Sequence, residues 1–488
     1  MVWRYHQPMR DTLLPRHVYF LGIAGAGMSA VASLLKSQGV EVSGSDEDAF
    51  PPVTTYLQTH GIPYRVGFDA SQIPVEVDAA IVGSSAKLGL DQNPELAELK
   101  RRGTPLFSFP AYLGEHTAGR DVTVVAGSFG KSTVTALLAH LAREAGGDPG
   151  WFVGAAPLDL PSSGHAGSDP TIFIEGDEYI IGGGDRRSKF LLYKPRALLL
   201  TSLVHDHMNV FPTMAEYEAP FAELIERLSP KDLIVAAHGF EPIRRLTAER
   251  EVVWYSADPG PGYHARNVRV GEVTSFELAT PAGQVIPLET PLLGRHNIEN
   301  IVGAAALLLT RSAIDAAALA SGVRSFRGLE RRLDRKTLIS AAPVYEGFGS
   351  SYEKARSAIE AVRLHFPHRR LVVAFEPHTF SWRNREGLNW YDTVFEGVDQ
   401  VVLLPPPDHG AATHDQLDQV TILERIRTAG IAVQAVSGEP SEALAAVESA
   451  VDSKSVVLLL SSGPLAGLAQ TLPPRLDARF GASGVVLR

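Results

Sequence analysis

Residues 122–144, which read VTVVAGSFGKSTVTALLAHLARE, decide the fold of this chain. The stretch begins with β-branched residues typical of a buried strand, passes through a loop bracketed by glycines, and continues with apolar residues at helical spacing. A buried strand followed by a helix is the repeating unit of a parallel sheet. The stretch therefore predicts an α/β fold, and it indicates that the loop lies at the carboxyl edge of the sheet, where such sheets bind ligands.

The glycine loop of this stretch suits the phosphates of ATP. Its backbone N–H groups can wrap the phosphates, Lys131 can contact the terminal ones, and the Ser132 hydroxyl can ligate Mg²⁺. The strict phosphate-loop pattern asks for a glycine where this chain has Val125, so a purely structural turn is the alternative interpretation. The predicted ATP-binding residues of the loop are Gly127, Ser128, Gly130, Lys131, Ser132 and Thr133.

A second glycine-rich turn, Gly22–Gly27, lies near the N-terminus between a strand-like run and a helical pattern. Its glycines are spaced G-x-x-G-x-G, unlike the G-x-G-x-x-G fingerprint of dinucleotide-binding proteins, but they still let a phosphate approach a helix N-terminus. Asp46, at the end of the next predicted strand, lies where a ribose-binding carboxylate is expected. Two alternatives remain open: a tight turn in which Asp46 only caps a helix, and an NAD-dependent oxidoreductase, against which the second phosphate loop argues.

Acidic and imidazole groups follow two further predicted strands. Glu175–Glu178 comes after the strand-like run 171–174, and Asp206-His207 comes after the run 197–201. The chain has no cysteine, so any metal must be held by oxygen or imidazole. Carboxylates, a hydroxyl and an imidazole at one sheet edge predict a Mg²⁺ site. Taken singly, a solvated acidic turn and a surface histidine are the simpler interpretations.

A polar cluster, Gly294–Asn300, opens a predicted helix of small residues. Its amides and imidazole come from His296, Asn297 and Asn300. The amides can hydrogen-bond a purine base, or Asn297 can do no more than cap the helix.

The composition describes a large globular protein. At 488 residues the chain exceeds the ~250–300 residues at which one core stops growing, which predicts two to four domains. The net charge of −10 is scattered and there is no dominant basic block, which argues against nucleic acid as a partner. No apolar run approaches the ~20 residues of a membrane span, and the first residues lack the apolar core of a secretory signal. We expect a cytoplasmic protein with no membrane partner.

The pattern of strands and helices indicates where the domains divide. It restarts near residue 118, and the stretch 325–336, rich in glycine and arginine, indicates a second connection. These breaks predict domains at 1–118, 119–326 and 327–488. We expect a Rossmann-like N-terminal domain, a central ATPase domain of the P-loop type, and a Rossmann-like C-terminal domain.

In this order, the segments resemble the Mur ligase family, the ATP-dependent ligases that assemble the cytoplasmic peptidoglycan precursor. The resemblance extends from Val18 to near Gly467 and so spans nearly the whole chain. It rests on the glycine turn and ATP loop described above and on segments 44–46, 175–178, 202–209, 294–300 and 326–334.

The resemblance implies two cofactors, ATP and Mg²⁺, and three sets of site residues. A UDP-sugar would be held by Gly22, Gly25, Gly27, Met28, Ser29, Ser45, Asp46 and Ser84. ATP would be held by the loop residues given above together with His296, Asn297 and Asn300. Lys131, Glu175, His207 and Arg331 would be catalytic, and Ser132, Glu175 and His207 would bind the metal. The implied partners are UDP-N-acetylmuramate and an amino acid or short peptide, for a monomer or weak homo-oligomer.

Within the family, two amine substrates compete. Segments 50–52, 150–157, 185–190 and 461–467 resemble the branch that recycles wall fragments by joining the tripeptide L-Ala-γ-D-Glu-diamino acid to UDP-N-acetylmuramate. Segment 376–380, EPHTF, resembles the branch that adds L-alanine. We therefore expect the tripeptide, with L-alanine as the alternative.

The chain departs from the family pattern in two places. Ser202 and Asn209 stand where Asn and Asp are usual. The loop Glu346–Tyr352, EGFGSSY, lacks two imidazoles and one carboxylate of the matching family segment. A protein that binds UDP-muramyl ligands without ligating them is therefore an alternative of another class.

Overall fold

The computed structural model describes residues 14–50, 52–84, 92–407 and 416–481, so Pro51 of the segment 50–52 lies outside it. In the described residues the backbone forms three α/β sheets and one short separate hairpin. Most of the first two sheets belongs to one compact unit. The second unit contains the third sheet, with the chain from Arg327 onward, and the short segments Arg269–Ser275 and Thr290–Arg295. The prediction of an α/β protein with N-terminal, central and C-terminal domains is confirmed. No helix in the described ranges is long and apolar enough to cross a membrane.

The N-terminal sheet has five parallel strands in the order β3-β2-β1-β4-β5. Its strands are β1 (His17–Leu21), β2 (Glu41–Asp46), β3 (Tyr64–Val66), β4 (Ala79–Val82) and β5 (Leu106–Ser108). Its helices are α1 (Ala26–Ser37), α2 (Val53–Thr59), α3 (Pro94–Arg102) and α4 (Phe109–His116). All of β1 is buried, as expected for a parallel strand covered on both faces. The strand order reverses between β1 and β4, so the crevice at their carboxyl ends is the expected ligand position.

The central sheet has ten strands in the order β17-β16-β15-β14-β13-β12-β6-β9-β7-β8, and β10 and β11 form the separate hairpin. The strands are β6 (Asp121–Ala126), β7 (Gly150–Phe152), β8 (Gly164–His165), β9 (Thr171–Gly176), β10 (Ile180–Gly182), β11 (Asp185–Ser188), β12 (Ala197–Leu200), β13 (Leu233–Ala237), β14 (Val253–Ser256), β15 (Tyr263–Arg269), β16 (Thr274–Ala279) and β17 (Val285–Thr290). The helices are α5 (Lys131–Glu144), α6 (Met214–Glu226), α7 (Glu241–Leu246), α8 (Arg295–Thr310) and α9 (Ala316–Ser325). Because β6 pairs in parallel with both β9 and β12, the loops that follow these three strands are neighbours.

The C-terminal sheet has six strands in the order β18-β19-β23-β20-β21-β22. The strands are β18 (Arg332–Arg335), β19 (Val344–Gly347), β20 (Arg370–Phe375), β21 (Gln400–Leu403), β22 (Val433–Ala435) and β23 (Ser455–Leu460). The helices are α10 (Tyr352–His365), α11 (Phe380–Arg383), α12 (Gln419–Thr428), α13 (Pro440–Ala450) and α14 (Leu468–Phe480). All strands pair in parallel except β18, which is antiparallel to β19.

The stretch 325–336 is only partly the connection that we expected. Its last residues form the edge strand β18, whose sequence RLDR has no apolar run. An edge strand has one neighbour and one open side, so it needs no such run. The predicted domain boundary at 118 falls between α4 and β6, and the one at 326 falls just after α9. Both boundaries stay predictions.

Candidate active site

The ATP loop between β6 and α5 needs glycine at two positions. Gly127 has a φ of +138°, and a Cβ there would lie 2.4 Å from Thr201 Oγ1. Gly130 has a φ of +81°, and a Cβ there would lie 2.5 Å from Asn300 Oδ1. A side chain would be strained at both positions, so only glycine lets the backbone approach these groups. The structure thereby brings three predicted ATP residues together: Gly127, Gly130 and Asn300.

Ser202, in the segment that follows β12, stabilises the same loop through hydrogen bonds. Its carbonyl accepts a hydrogen bond from Ser128 N at 3.2 Å, and its hydroxyl accepts one from Phe129 N at 2.7 Å. Ser128 Oγ in turn donates to Val204 O at 2.7 Å. At Ser202 the family resemblance implies an asparagine, and the serine of this chain supports the loop directly. Sequence reasoning missed this role because the partners of Ser202 are distant in the chain.

Helix α5 begins at Lys131 and has no side-chain cap at Gly130. The first N–H groups of a helix have no partner within the helix, and the helix dipole attracts an anion to that end. Lys131 Nζ donates to Gly127 O at 2.5 Å and lies 2.9 Å from Glu178 Oε2. The start of α5 therefore combines amide donors with a mostly buried cation, an arrangement that binds phosphate.

Two carboxylates at the carboxyl end of β9 face this helix start: Glu175 lies within the strand, and Glu178 follows it. Glu175 Oε1 accepts a hydrogen bond from Ser132 Oγ at 2.7 Å, and its Oε2 accepts one from Gly154 N at 2.6 Å. Glu178 is fully buried and accepts a hydrogen bond from Tyr217 Oη at 3.3 Å. Glu175 reaches Ser132 because β6 and β9 are parallel neighbours, which places Glu175 and the ATP loop at the same edge of the sheet.

His207 lies in the loop after β12, in the left-handed backbone region with a φ of +52°. Its Nε2 is 3.3 Å from Glu178 Oε1, and its ring meets the Tyr179 ring edge-on with centroids 5.1 Å apart. The hydrogen bond to the Glu178 carboxylate raises the pKa of His207. Asn209, at the usual aspartate position, donates to Tyr179 Oη at 3.1 Å. His207 is thus positioned by Glu178 and by the ring of Tyr179.

Two of the three predicted metal ligands contact each other, and the third contacts Glu178. Ser132 contacts Glu175, whereas His207 contacts Glu178. In the part of the chain that the structure describes, no group of three or more His, Asp or Glu side chains could hold a metal ion. The buried carboxylate of Glu178 needs partners, and Lys131 and His207 supply them. The role of His207 as a metal ligand stays a prediction.

Helix α8 supplies the second part of the predicted ATP site. Asn300 Nδ2 donates to Asn297 Oδ1 at 3.0 Å, and both residues are buried. His296 lies beside them in the first turn of the helix. Sequence reasoning offered purine binding or helix capping for these amides. The structure adds a third role, which is packing against the ATP loop: Asn300 Oδ1 lies so close to Gly130 that a Cβ there would be 2.5 Å away. Contact with the base stays a prediction.

The N-terminal glycine turn is tied to the end of β2. Gly22, with a φ of +89°, donates its N–H to Ser45 O at 2.7 Å. Ala24 N donates to the Asp46 carboxylate at 2.8 Å, and burial raises the pKa of that carboxyl. Asp46 therefore orders the turn itself. Gly25 is exposed and precedes α1 without a side-chain cap, which leaves this helix start open to an anion.

The remaining predicted UDP-sugar residues divide between buried and exposed positions. Met28 and Ser29 are buried near the start of α1, where Ser29 Oγ donates to Ala26 O at 3.0 Å. Ser84 is exposed just after β4. Because β1 and β4 pair in parallel, Ser84 and the glycine turn lie at the same edge of the sheet.

A buried carboxylate that sequence reasoning missed holds the Ser45 side chain. Ser45 Oγ donates to Glu95 Oε2 at 2.5 Å, and Tyr19 Oη donates to the same oxygen at 2.9 Å. Glu95 is fully buried in the first turn of α3, with Arg65 3.8 Å away. In the sequence, a glutamate after a proline looks like an ordinary first-turn acid. Its burial is visible only in the folded chain, and direct contact of Ser45 with a sugar stays a prediction.

In the C-terminal unit, Arg331 precedes β18 in the left-handed region, with a φ of +59°. Its Nη2 donates to Ser461 O at 2.9 Å and to Gly463 O at 2.8 Å, and its Nε lies 3.2 Å from Glu346 Oε1. Its guanidinium carbon is 5.3 Å from the centroid of the Phe348 ring. Arg331 therefore links the loops that follow β19 and β23. Its catalytic role stays a prediction.

The altered segment Glu346–Tyr352 is a loop only at 348–351, because its first two residues end β19 and Tyr352 begins α10. It is anchored without histidines. Trp382 Nε1 donates to Gly349 O at 2.7 Å inside the core of the unit. Ser351 caps α10 by accepting a hydrogen bond from Lys354 N at 3.4 Å. The changed residues therefore remove chemical groups from the loop while leaving it a defined conformation.

Two known families of domains match this chain. Residues 125–308 match the Mur ligase middle domain, and residues 17–121 match the domain described as Mur ligase family, catalytic domain. A UDP-N-acetylmuramate–L-alanine ligase of Roseiflexus castenholzii is 30% identical over 405 residues, which cover 79% of this chain and 82% of the relative.

Two solved structures are also similar. The UDP-N-acetylmuramate–alanine ligase of Thermotoga maritima superposes with a TM-score of 0.76 at 21% identity, covering 95% of this chain and 99% of that one. A UDP-N-acetylmuramate:L-alanyl-γ-D-glutamyl-meso-diaminopimelate ligase of Neisseria meningitidis has a TM-score of 0.57 at 27% identity, covering 65% and 99%.

The fold and the family matches define an ATP-dependent ligase that joins an acid to an amino acid. The Roseiflexus protein is similar enough, over most of both chains, to show the family. This chain belongs to the Mur ligase family.

Proposed function

We propose that this ligase joins the lactyl carboxylate of UDP-N-acetylmuramate to the amine of an amino acid or short peptide. The carboxylate attacks the γ-phosphorus of ATP and ADP leaves; the amine then displaces phosphate from the acyl phosphate. The observation that carries the proposal is the start of α5, where Lys131 and an open helix N-terminus lie beside the Ser132–Glu175 pair. These groups suit phosphoryl transfer because they oppose the negative charge of the transferring group.

Mg²⁺ is part of this proposal, and the residues present fit it. Ser132 Oγ and Glu175 Oε1 lie 2.7 Å apart, and a hydroxyl beside a carboxylate offers the oxygen ligands that Mg²⁺ takes next to nucleotide phosphates. When bound, the ion would neutralise charge on the terminal phosphates. Among the protein groups, Lys131 would hold the terminal phosphate and Glu175 would orient Ser132.

The three substrates are assigned to three sheet edges. The crevice after β1 and β4 would hold the UDP-sugar, and the loops after β6, β9 and β12 would hold ATP. The edge after β20 and β23 would take the amine. There the buried Glu376 accepts hydrogen bonds from Ser461 Oγ at 2.7 Å and from Leu465 N at 3.1 Å. A buried carboxylate of this kind suits the ammonium group of an incoming amine.

For the amine itself, L-alanine is the better-supported choice. The sequence segments favoured the tripeptide, but the Roseiflexus relative and the Thermotoga structure are both alanine ligases by name. The tripeptide remains the second candidate, because the segment 185–190 resembles the tripeptide branch and the Neisseria protein carries the tripeptide in its name.

We expect the specificity constant kcat/KM for L-alanine to exceed that for L-Ala-γ-D-Glu-diamino acid by at least about tenfold, because a site shaped for a small amino acid leaves the polar groups of the peptide unpaired. The measurement is phosphate release from ATP with UDP-N-acetylmuramate and each amine, with a no-amine control. Faster turnover with the tripeptide would make that peptide the substrate. Binding of UDP-N-acetylmuramate without turnover on either amine would favour the non-ligating protein.

The metal assignment predicts that Glu175→Gln raises the Mg²⁺ concentration needed for half-maximal ligation by about tenfold or more, because a charged ligand is lost. Glu223→Gln is the matched control, since Glu223 is an exposed glutamate of α6 whose partner is Arg227. The variant His207→Ala separates two roles. A raised Mg²⁺ requirement would make His207 a ligand, whereas a lowered melting temperature with an unchanged requirement would make it only the partner of Glu178. An unchanged requirement in Glu175→Gln would remove Glu175 from the metal site.

A further inference from the structure

The hairpin β10–β11 of the central domain reaches the N-terminal sheet. Its turn is made of three glycines in the left-handed region, Gly182, Gly183 and Gly184. A Cβ at Gly182 would lie only 2.6 Å from Ser84 Cβ, so the hairpin backbone presses directly on the residue that follows β4. This contact places the hairpin at the crevice where the UDP-sugar is expected.

At the base of the hairpin, Lys189 is an ammonium group with little access to solvent. Its side chain is 12% exposed, and its Nζ donates to Asp177 Oδ2 at 2.6 Å. The ammonium also lies 5.5 Å from the centroids of the Phe109 and Tyr179 rings. A lysine placed between two aromatic faces and a carboxylate is held firmly in position. Asp177 belongs to the acidic segment that follows β9.

Phe109 connects this lysine to the glycine turn. Its ring would lie 3.0 Å from a Cβ at Gly27, so it packs against the backbone of the UDP-sugar loop at the start of α1. On another side it stacks on Phe152 of the central sheet, with ring centroids 5.9 Å apart. A continuous set of contacts therefore runs from Asp177 through Lys189 and Phe109 to Gly27.

We propose that the hairpin β10–β11 forms a wall of the UDP-sugar site and that Lys189 is its positioning residue. Lys189 ties the acidic segment after β9 to the glycine turn after β1, and its positive charge offsets Asp177 next to an anionic sugar nucleotide. The inference rests on the proposed function, because it takes UDP-N-acetylmuramate as the ligand. Nothing in the ATP loop is required for it.

The test is the dissociation constant of UDP-N-acetylmuramate for the full-length protein, measured by calorimetry without ATP. Lys189→Met should raise this constant by about tenfold or more, since removing one partner of a mostly buried charge pair is costly. Lys189→Arg keeps the charge and should stay within about threefold of the parent by the same reasoning. The double variant Asp177→Asn, Lys189→Met should recover part of the loss, because no uncompensated carboxylate then faces the anionic ligand. Lys194→Met, at an exposed lysine nearby, is the control.

A second variant does not depend on the lysine. Gly182→Ala should weaken UDP-N-acetylmuramate binding, because its Cβ must displace Ser84. Gly430→Ala is the matched control: its φ of +83° is close to the +86° of Gly182, but a Cβ there meets nothing within 4 Å. ATP affinity and melting temperature are measured for every variant.

The outcomes separate the inference from the proposed function. If the parent protein binds no UDP-N-acetylmuramate, the proposed function fails and the inference fails with it. If the parent binds it but Lys189→Met and Gly182→Ala bind it equally well, only the inference is overturned. Equal losses of UDP-sugar and ATP affinity, with a lowered melting temperature, would assign Lys189 a purely structural role and would also overturn it.

Discussion

Lys131→Ala should lower the ligation rate by about 10²–10³-fold, the usual loss when one preorganised charge-stabilising group is removed from a transition state. Lys131 is the cation at the start of α5, mostly buried and in contact with Gly127 O and Glu178. The affinity for UDP-N-acetylmuramate should stay nearly unchanged, because that ligand is assigned to a different sheet edge. Phosphate release and UDP-sugar calorimetry measure the two effects.

This variant needs a control for stability. Removing Lys131 leaves the buried Glu178 with fewer partners, and breaking a buried ion pair from one side commonly costs about 3–5 kcal/mol. The double variant Lys131→Ala, Glu178→Gln also removes the carboxylate that lost its partner. Its melting temperature should therefore be higher than that of Lys131→Ala, while it remains inactive. Recovery of ligation in the double variant would mean that Lys131 serves only to neutralise Glu178. An equal loss of UDP-sugar binding would argue against the division of nucleotides between the two sheets.

Gly347→Asp should strongly destabilise the C-terminal domain, although it restores a carboxylate typical of the family segment. Gly347 is buried in β19, and a Cβ there would lie within 3.5 Å of side-chain atoms of Leu460, Ala358 and Leu333. A carboxylate in these apolar surroundings loses hydration without gaining a partner, at a cost of several kcal/mol. We expect the melting temperature to fall by about 5–10 °C or more for a domain of this size.

The matched control for this prediction is Gly347→Ala. An added methyl group meets Leu460 Cδ1 at 3.3 Å, so that side chain must shift by a few tenths of an ångström, and the melting temperature should fall much less than in the aspartate variant. Equal melting temperatures for the aspartate variant and the parent would show that the carboxylate reaches water or a cation. In that case the missing family carboxylate could be restored without cost, and the altered loop would be open to engineering.

Much of the fold could be predicted because its signals are local. The run of β-branched residues before Gly127 and the apolar helical spacing after Lys131 both lie within a few residues of one another. The same kind of local signal marks β20 and β23, whose residues 371–375 and 456–460 are buried and apolar. By contrast, β18 escaped prediction because an edge strand with the sequence RLDR carries no apolar signal.

The candidate site was predictable to the extent that glycine and lysine mark it. Gly127, Gly130 and Lys131 are required by backbone geometry and charge, and both requirements leave a trace in the sequence. The supporting contacts around the two proposed nucleotide sites are not visible in the sequence. Ser202 holds the ATP loop, Glu95 holds Ser45, and Lys189 holds Asp177. The importance of these residues depends on partners that are distant in the chain.

The sequence by itself determined the class of fold, the position of the ATP loop and the resemblance to the Mur ligases, because backbone periodicity, glycine conformation and motif spacing are properties of short segments. Only the tertiary structure decided which charges are paired. Glu178, rather than Glu175, meets Lys131 and His207, and the hairpin after Glu178 lies against Ser84. The reason is that burial and strand order set the partners of a charge, and both arise from contacts between segments that the sequence separates.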